Sequence, residues 1–349
     1  MKSIIAGVLA AMILVAAQVA PAASEEYPEL NLRFGHFVPA NFPGSSIDQW
    51  WADEVEKRSG GKIKVEIFWA ESIGKAKELL DLVSSGAIDL AATSPSYFPS
   101  KLPLTGATNA LMYQFENNEE AVRVTAALTA NSEPILAELK RNNIYPIFFH
   151  SLNGYRPFCT EPIETIEGFK GKKMRAWGEY VPIMWDSLGA TPVNVLTNEL
   201  YESLQRGSLD CAFWPHDLVY SAKLYEVAKY AFPEHFGAIP TWPIWVNWEV
   251  WHNEWPESVR KLLTEVGLEA MERDIELIAG AEAKAINKMV EEHGVTLVDF
   301  KDSGKLQETV PDLLKVWVEK QTERGIGDDA RAVSKQWTEK RDRLRAEKN

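Results

Sequence analysis

Residues 62–92 read KIKVEIFWAESIGKAKELLDLVSSGAIDLAA, and two changes of hydrophobic period within them decide the fold. Lys62 to Phe68 alternates polar and apolar residues with a period of two, the pattern of a strand with one buried face. Lys75 to Ser85 has helical spacing, Gly86 closes that helix, and Ile88 to Ala92 is a short apolar strand. Toward the N-terminus, Leu30 to Phe37 is strand-like. Ser45 to Arg58 is helical, with Ile47, Trp50, Trp51 and Val55 near one face and Gly60-Gly61 ending it. The order βαβαβ predicts a parallel sheet covered by helices.

The same unit returns downstream. Glu78-Leu79, Gly86, Asp89 and Ala91 recur at a constant offset of 121 as Glu199-Leu200, Gly207, Asp210 and Ala212. Each copy is a helix closed by glycine and followed by a strand that begins at an Asp, which predicts two similar α/β lobes; two copies are too few for a solenoid. Between them, Asn118 to Lys140 is helical, Ile144 to His150 and Tyr155 to Thr160 are strand-like, and Lys172 to Trp177 forms another strand. From Pro256 onward Glu257 to Glu292, Lys305 to Gln321 and Asp328 to Lys348 are charge-laced helices, interrupted by the β-like Thr296 to Phe300. The expected division is residues 24–150 mainly in the first lobe, 151–255 mainly in the second with crossover strands, and 256–349 as a helical segment packing on both.

Composition sets the outer limits. At roughly 100 to 200 residues per domain, 349 residues suggest two domains. A mean hydropathy of -0.22 with 11% aromatic residues excludes a disordered chain. Beyond the N-terminus no stretch of 18 apolar residues is free of charge, which excludes a polytopic membrane protein. With 37 basic against 50 acidic residues, the net charge of -13 repels phosphate backbones, so no nucleic-acid partner is expected. Lys2, the apolar run Ile4 to Val19 and the small residues Ala20-Pro21-Ala22-Ala23 predict a cleaved signal peptide over residues 1–23 and hence an exported protein. Cys159 and Cys211 are the only cysteines, compatible with one disulfide or with two buried thiols.

Signatures of catalysis are missing. The sequence has no HExxH, GxSxG, Walker A or strand-linked GxGxxG motif, and its six histidines show no metal-ligand spacing. His216-Asp217 near Cys211 is a thin nucleophile constellation. The aromatic distribution says more: eight of the 13 tryptophans lie between Trp177 and Trp255. Trp177 and Trp214 each end a predicted parallel strand, where open α/β sheets form ligand crevices. Arg175 lies inside an apolar-flanked strand and Arg156 begins another. A buried guanidinium needs an anion, either a ligand carboxylate or an internal Asp or Glu.

Taken in order, Arg33-Phe34-Gly35-His36, Trp51 to Lys62, Gly86-Ala87-Ile88-Asp89, Gly171-Lys172-Lys173-Met174-Arg175, Leu188 to Val193 and Glu199 to Asp210 carry a resemblance over essentially the whole mature length. The chain resembles the substrate-binding proteins of tripartite ATP-independent periplasmic (TRAP) transporters of the DctP type. The resemblance implies a two-lobed periplasmic binding protein fold with a long bracing helix, no catalysis, no cofactor, a periplasmic location and a membrane permease as partner. It implies a small organic carboxylate ligand clamped by Arg175, with Arg156 matching a second arginine of some members. Where the family often has Asn and Gly, this chain has Trp214 and Cys211, and Thr197 stands where an aromatic residue is common. The expected ligand-binding set is therefore Arg175 and Arg156, the walls Trp177 and Trp214, His36, Phe37, Ser94 and Tyr97 from the first lobe, and His216. A zwitterion caged by tryptophans is the alternative ligand.

Overall fold

The computed structural model describes residues 26–348; the expected signal peptide lies outside the described residues. Its strands are β1 (Leu30–His36), β2 (Ile63–Phe68), β3 (Leu90–Ala92), β4 (Ile144–Ser151), β5 (Arg156–Cys159), β6 (Lys173–Ala176), β7 (Thr191–Asn194), β8 (Cys211–Trp214), β9 (Tyr230–Ala231), β10 (Pro240–Asn247) and β11 (Thr296–Leu297). Among the described residues they form two sheets, one ordered β2-β1-β3-β10-β4 and the other β11-β9-β5-β8-β6-β7. In the first, β1 pairs in parallel with β2 and β3, and β10 runs antiparallel to β3. In the second, β6 pairs in parallel with β7 and β8, and β5 runs antiparallel to β8.

The sequence echo is a structural one. Asp89 N–H donates to Arg33 O at 3.1 Å while Arg33 N–H donates to Asp89 Oδ2 at 2.7 Å. Asp210 and Lys173 exchange the same two bonds at 2.9 and 2.8 Å. In both lobes the Asp locks the strand after the helix to its parallel neighbour, β3 to β1 and β8 to β6. Gly86 and Gly207 end the preceding helices with φ of 75° and 69°, a conformation in which a Cβ is strained.

Several long helical predictions divide. Asn118–Asn131 and Glu133–Arg141 are separate helices because Ser132 is extended and Pro134 sits in the first turn of the second. The helix from Glu257 ends at Ala279, and Ala281–His293 continues after Gly280. Leu306–Thr309 and Leu313–Glu323 flank Pro311.

These helices tie the lobes together. Trp51 of the first lobe donates to Leu263 O at 3.3 Å on helix Glu257–Ala279, while helix Ala281–His293 packs on His216–Ser221 of the second lobe. In Leu313–Glu323, Trp317 donates to Pro103 O at 2.9 Å and Gln321 to Tyr180 Oη at 2.9 Å, one bond to each lobe. Cys159 and Cys211 are opposed in the β5–β8 ladder and form a disulfide, which resolves the choice left open by the sequence and removes Cys211 as a nucleophile.

Candidate functional site

Arg175 stands third in β6, flanked by Met174 and Ala176, so the strand carries a guanidinium into apolar surroundings; the residue is 2% exposed. Its Nε donates to Val195 O at 3.2 Å, Nη1 to Phe213 O at 3.0 Å and Nη2 to Thr197 Oγ1 at 3.3 Å. A guanidinium has five N–H groups, so these three bonds leave one on each terminal nitrogen. No carboxylate pairs with it among the described residues. Burial lowers its pKa, and the nearby ionisable groups acting on it are the phenols Tyr97 and Tyr155. The guanidinium carbon lies 4.6 Å from the Trp177 ring centre and 5.9 Å from that of Trp214.

Arg175 lines a cavity between the lobes with about 420 Å³ of space, including the part that opens to solvent. The second lobe adds Tyr155, Trp177, Thr197 and Trp214; the first adds Phe37, Phe42, Ser94, Ser96, Tyr97, Thr108 and Trp242. Strand ends of both sheets thus converge on one crevice, as open α/β sheets require. The lobes also touch across it. Asn198 Nδ2 donates to Phe37 O at 3.0 Å and Asn109 Nδ2 to Trp177 O at 3.1 Å. At Gly178, φ is 63° and a Cβ would fall 1.7 Å from Asn109 Nδ2, so this close approach requires glycine.

Of the residues expected from the sequence, Arg175, Trp177, Trp214, Phe37, Ser94 and Tyr97 are brought together on the cavity wall. Three are not. Arg156 is ion-paired with Glu282 and donates from Nε to Pro233 O at 3.2 Å. Its acid comes from the first turn of a helix 126 positions away, which no local pattern could show. His216 is the buried first residue of helix His216–Ser221; burial and then the Arg156 charge push its pKa down to about 3, so it is neutral.

His36 lies behind the wall rather than on it. Its Nδ1 accepts from Val38 N–H at 3.2 Å, so Nε2 carries the proton donated to Asp48 Oδ2 at 2.9 Å, and burial holds the ring neutral. Asp48 Oδ1 also faces His150 Nε2 at 2.9 Å, and His150 Nδ1 faces Asp274 Oδ1 at 3.1 Å. A ring with a carboxylate at each nitrogen is an imidazolium: burial alone would lower its pKa, but Asp48 and Asp274 raise it to about 10. Trp242 stacks on this cation with ring centres 4.8 Å apart and tilted by 26°. The buried network therefore holds one cavity wall in place.

Trp242, Phe42, Tyr155 and Thr108 were missed as wall residues by the sequence reading. The signal for Trp242 was the proline pair Pro240 and Pro243: the β10–β4 register shifts on either side of Pro243, and such irregularities re-aim side chains. Trp242 Nε1 has no protein partner among the described residues. Trp245, by contrast, is a core residue whose Nε1 donates to Thr93 O at 3.0 Å.

The chain is similar to known proteins along most of its length. It shares 26% identity over 247 residues with the C4-dicarboxylate-binding protein DctB of Bacillus subtilis (strain 168), covering 70% of this chain and 69% of that one. An uncharacterised protein of Haemophilus influenzae (strain Rd) is 26% identical over 215 residues, 61% of this chain, and the match spans 64% of that relative's length. The crystal structure of a TRAP solute-binding protein from Rhodoferax ferrireducens T118, in complex with copurified benzoate, superposes with a TM-score of 0.81 at 20% identity, covering 91% of this chain and 99% of that one. It establishes the two-lobed binding-protein fold. The family model described as bacterial extracellular solute-binding protein, family 7 (DctP), matches residues 34–321, and the chain belongs to that family of TRAP-type solute receptors.

Proposed function

We propose that this protein is a periplasmic receptor that captures a small organic carboxylate between its lobes and delivers it to a TRAP membrane permease. The observation that carries the reading is Arg175, a buried guanidinium on the cavity wall with no internal carboxylate among the described residues. Anchoring a carboxylate there offsets the desolvation of the arginine, and a ligand touching both lobes favours the closed state by its differential affinity. The carboxylates named for the Bacillus and Rhodoferax proteins support an acid as ligand. For a zwitterion the tryptophans would have to cage its cation, but Trp177 and Trp214 already flank Arg175.

Native mass spectrometry of gently purified protein tests the reading: the expected result is a retained low-mass acid that raises the melting temperature when added back. Small-angle scattering should then show compaction on adding that acid to stripped protein. A retained neutral or cationic molecule, or turnover of the added compound, would overturn it.

A further inference from the structure

We infer that the cavity selects acids with a single carboxylate and a flat, apolar body over dicarboxylates and sugar acids. The inference rests on the reading of Arg175 as the carboxylate anchor and goes on to the rest of the ligand.

Charge comes first. Arg175 is the single charged side chain on the cavity wall among the described residues, and the other expected cation, Arg156, is committed to Glu282. A second ligand carboxylate would have to shed water with no cation to meet it, which is far costlier than burying an apolar group of the same size.

Hydrogen-bonding capacity comes next. A sugar acid presents several hydroxyls, each of which needs a partner once buried. The wall offers no carboxylate, and no Asn or Gln side chain, among the described residues. Its hydroxyls are partly engaged already: Ser94 and Ser96 lie 2.8 Å apart, and Tyr97 lies 3.3 Å from Thr197. Trp242, also on the wall, has an Nε1 with no partner among the described residues.

Shape completes the argument. Trp177, Trp214 and Trp242 line the same cavity, and Phe37 meets Trp242 at an interplanar angle of 79° with centres 5.2 Å apart. Flat walls of this kind gain most from a flat apolar partner through stacking and edge-to-face contact.

The test is calorimetry on the purified full-length mature protein with four probes at equal pH and salt: benzoate, phenylacetate, succinate and D-glucuronate. The expected result is that benzoate or phenylacetate binds at least tenfold more tightly than either of the others, and that Arg175→Ala abolishes this binding. If succinate or glucuronate binds as tightly as the flat acids, with the same dependence on Arg175, the selectivity is wrong while the receptor reading stands. If the flat acids fail to bind below about 1 mM while native mass spectrometry recovers a dicarboxylate or a sugar acid, the inference also falls. Failure of the receptor reading is separate: the molecule recovered is then not an acid, or its binding ignores Arg175→Ala.

Discussion

Tyr97 of one lobe and Thr197 of the other meet across the cleft, their hydroxyl oxygens 3.3 Å apart, and the same Thr197 oxygen accepts from Arg175 Nη2 at 3.3 Å. The group that orients the proposed anion clamp is thus also a point where the lobes join. Tyr97→Phe keeps the ring against Phe37 and removes only the hydroxyl. Affinity should fall by about 1 kcal/mol, roughly fivefold, mainly through faster release. Stopped-flow measurement of both rates checks this; a change confined to association would place Tyr97 outside the closed-state contact.

Arg175→Ala should weaken acid binding more than any other single change, by about 2 to 5 kcal/mol, because the ligand carboxylate is left buried and unpaired. Arg175→Lys should recover only part, since an ammonium cannot reproduce bonds to Val195 O, Phe213 O and Thr197 Oγ1 together with a two-pronged grip on the ligand. Affinities unchanged within threefold by calorimetry would remove Arg175 from the role.

What the sequence disclosed and what it hid follow one division. Arg175, Trp177 and Trp214 were legible because local period placed them at the ends of parallel strands, and the offset repeat predicted the paired lobes that the Asp89 and Asp210 bonds realise. Arg156 looked like a second cationic contact beside Arg175, yet its fate depends on Glu282, and His36 looked like a cleft residue until Asp48 claimed it. Long-range charge partners leave no local trace. Trp242 was hidden for another reason: it reads as one of a run of core tryptophans, and only the strand irregularity separates it from Trp245.

The His150 network predicts a stability profile. Because the folded pKa of about 10 lies above the ordinary value near 6.5, pairing with Asp48 and Asp274 adds its full stability below about pH 6.5 and loses it as pH rises through about 10. Denaturant unfolding of the wild type should show stability declining across that window. His150→Gln should be markedly destabilised at pH 6.5, by about 3 to 5 kcal/mol, and far less so near pH 10. Equal losses at both pH values would mean that the ring is neutral; if the variant does not fold, the wild-type slope alone decides.

Asp217 should act over a lower range. Burial, then the Glu282 charge, pushes its pKa up to about 7; Oδ1 accepts from Asn153 Nδ2 at 3.3 Å, and Oδ2 has no partner among the described residues. A raised folded pKa makes its contribution favourable below about pH 3.8 and progressively lost as pH rises through about 7. Asp217→Asn, which cannot ionise, should therefore raise the melting temperature at pH 8 and have little effect at pH 4. A lower melting temperature at pH 8 would show that the carboxylate is stabilising.

Trp214 separates two spaces. It lines the Arg175 cavity and also a neighbouring one between the lobes with about 640 Å³ of space, including the part that opens to solvent, and its ring lies 5.8 Å from that of Phe42, which lines both as well. If the ring is a ligand wall, Trp214→Ala should cost about 1 to 3 kcal/mol of affinity for a flat acid, by analogy with the loss of an aromatic stacking partner. Trp214→Phe should restore much of it, because a smaller ring still offers a flat face. Opening the partition should also let bulkier acids bind, so the ratio of naphthoate to benzoate affinity should rise in Trp214→Ala and stay low in Trp214→Phe. A core role predicts another pattern: the residue is 3% exposed, and truncation would lower the melting temperature of unliganded protein while sparing affinity at a permissive temperature. Calorimetry and thermal unfolding on both variants distinguish the two, and a large stability loss with unchanged affinity and an unchanged ratio would take Trp214 out of the site.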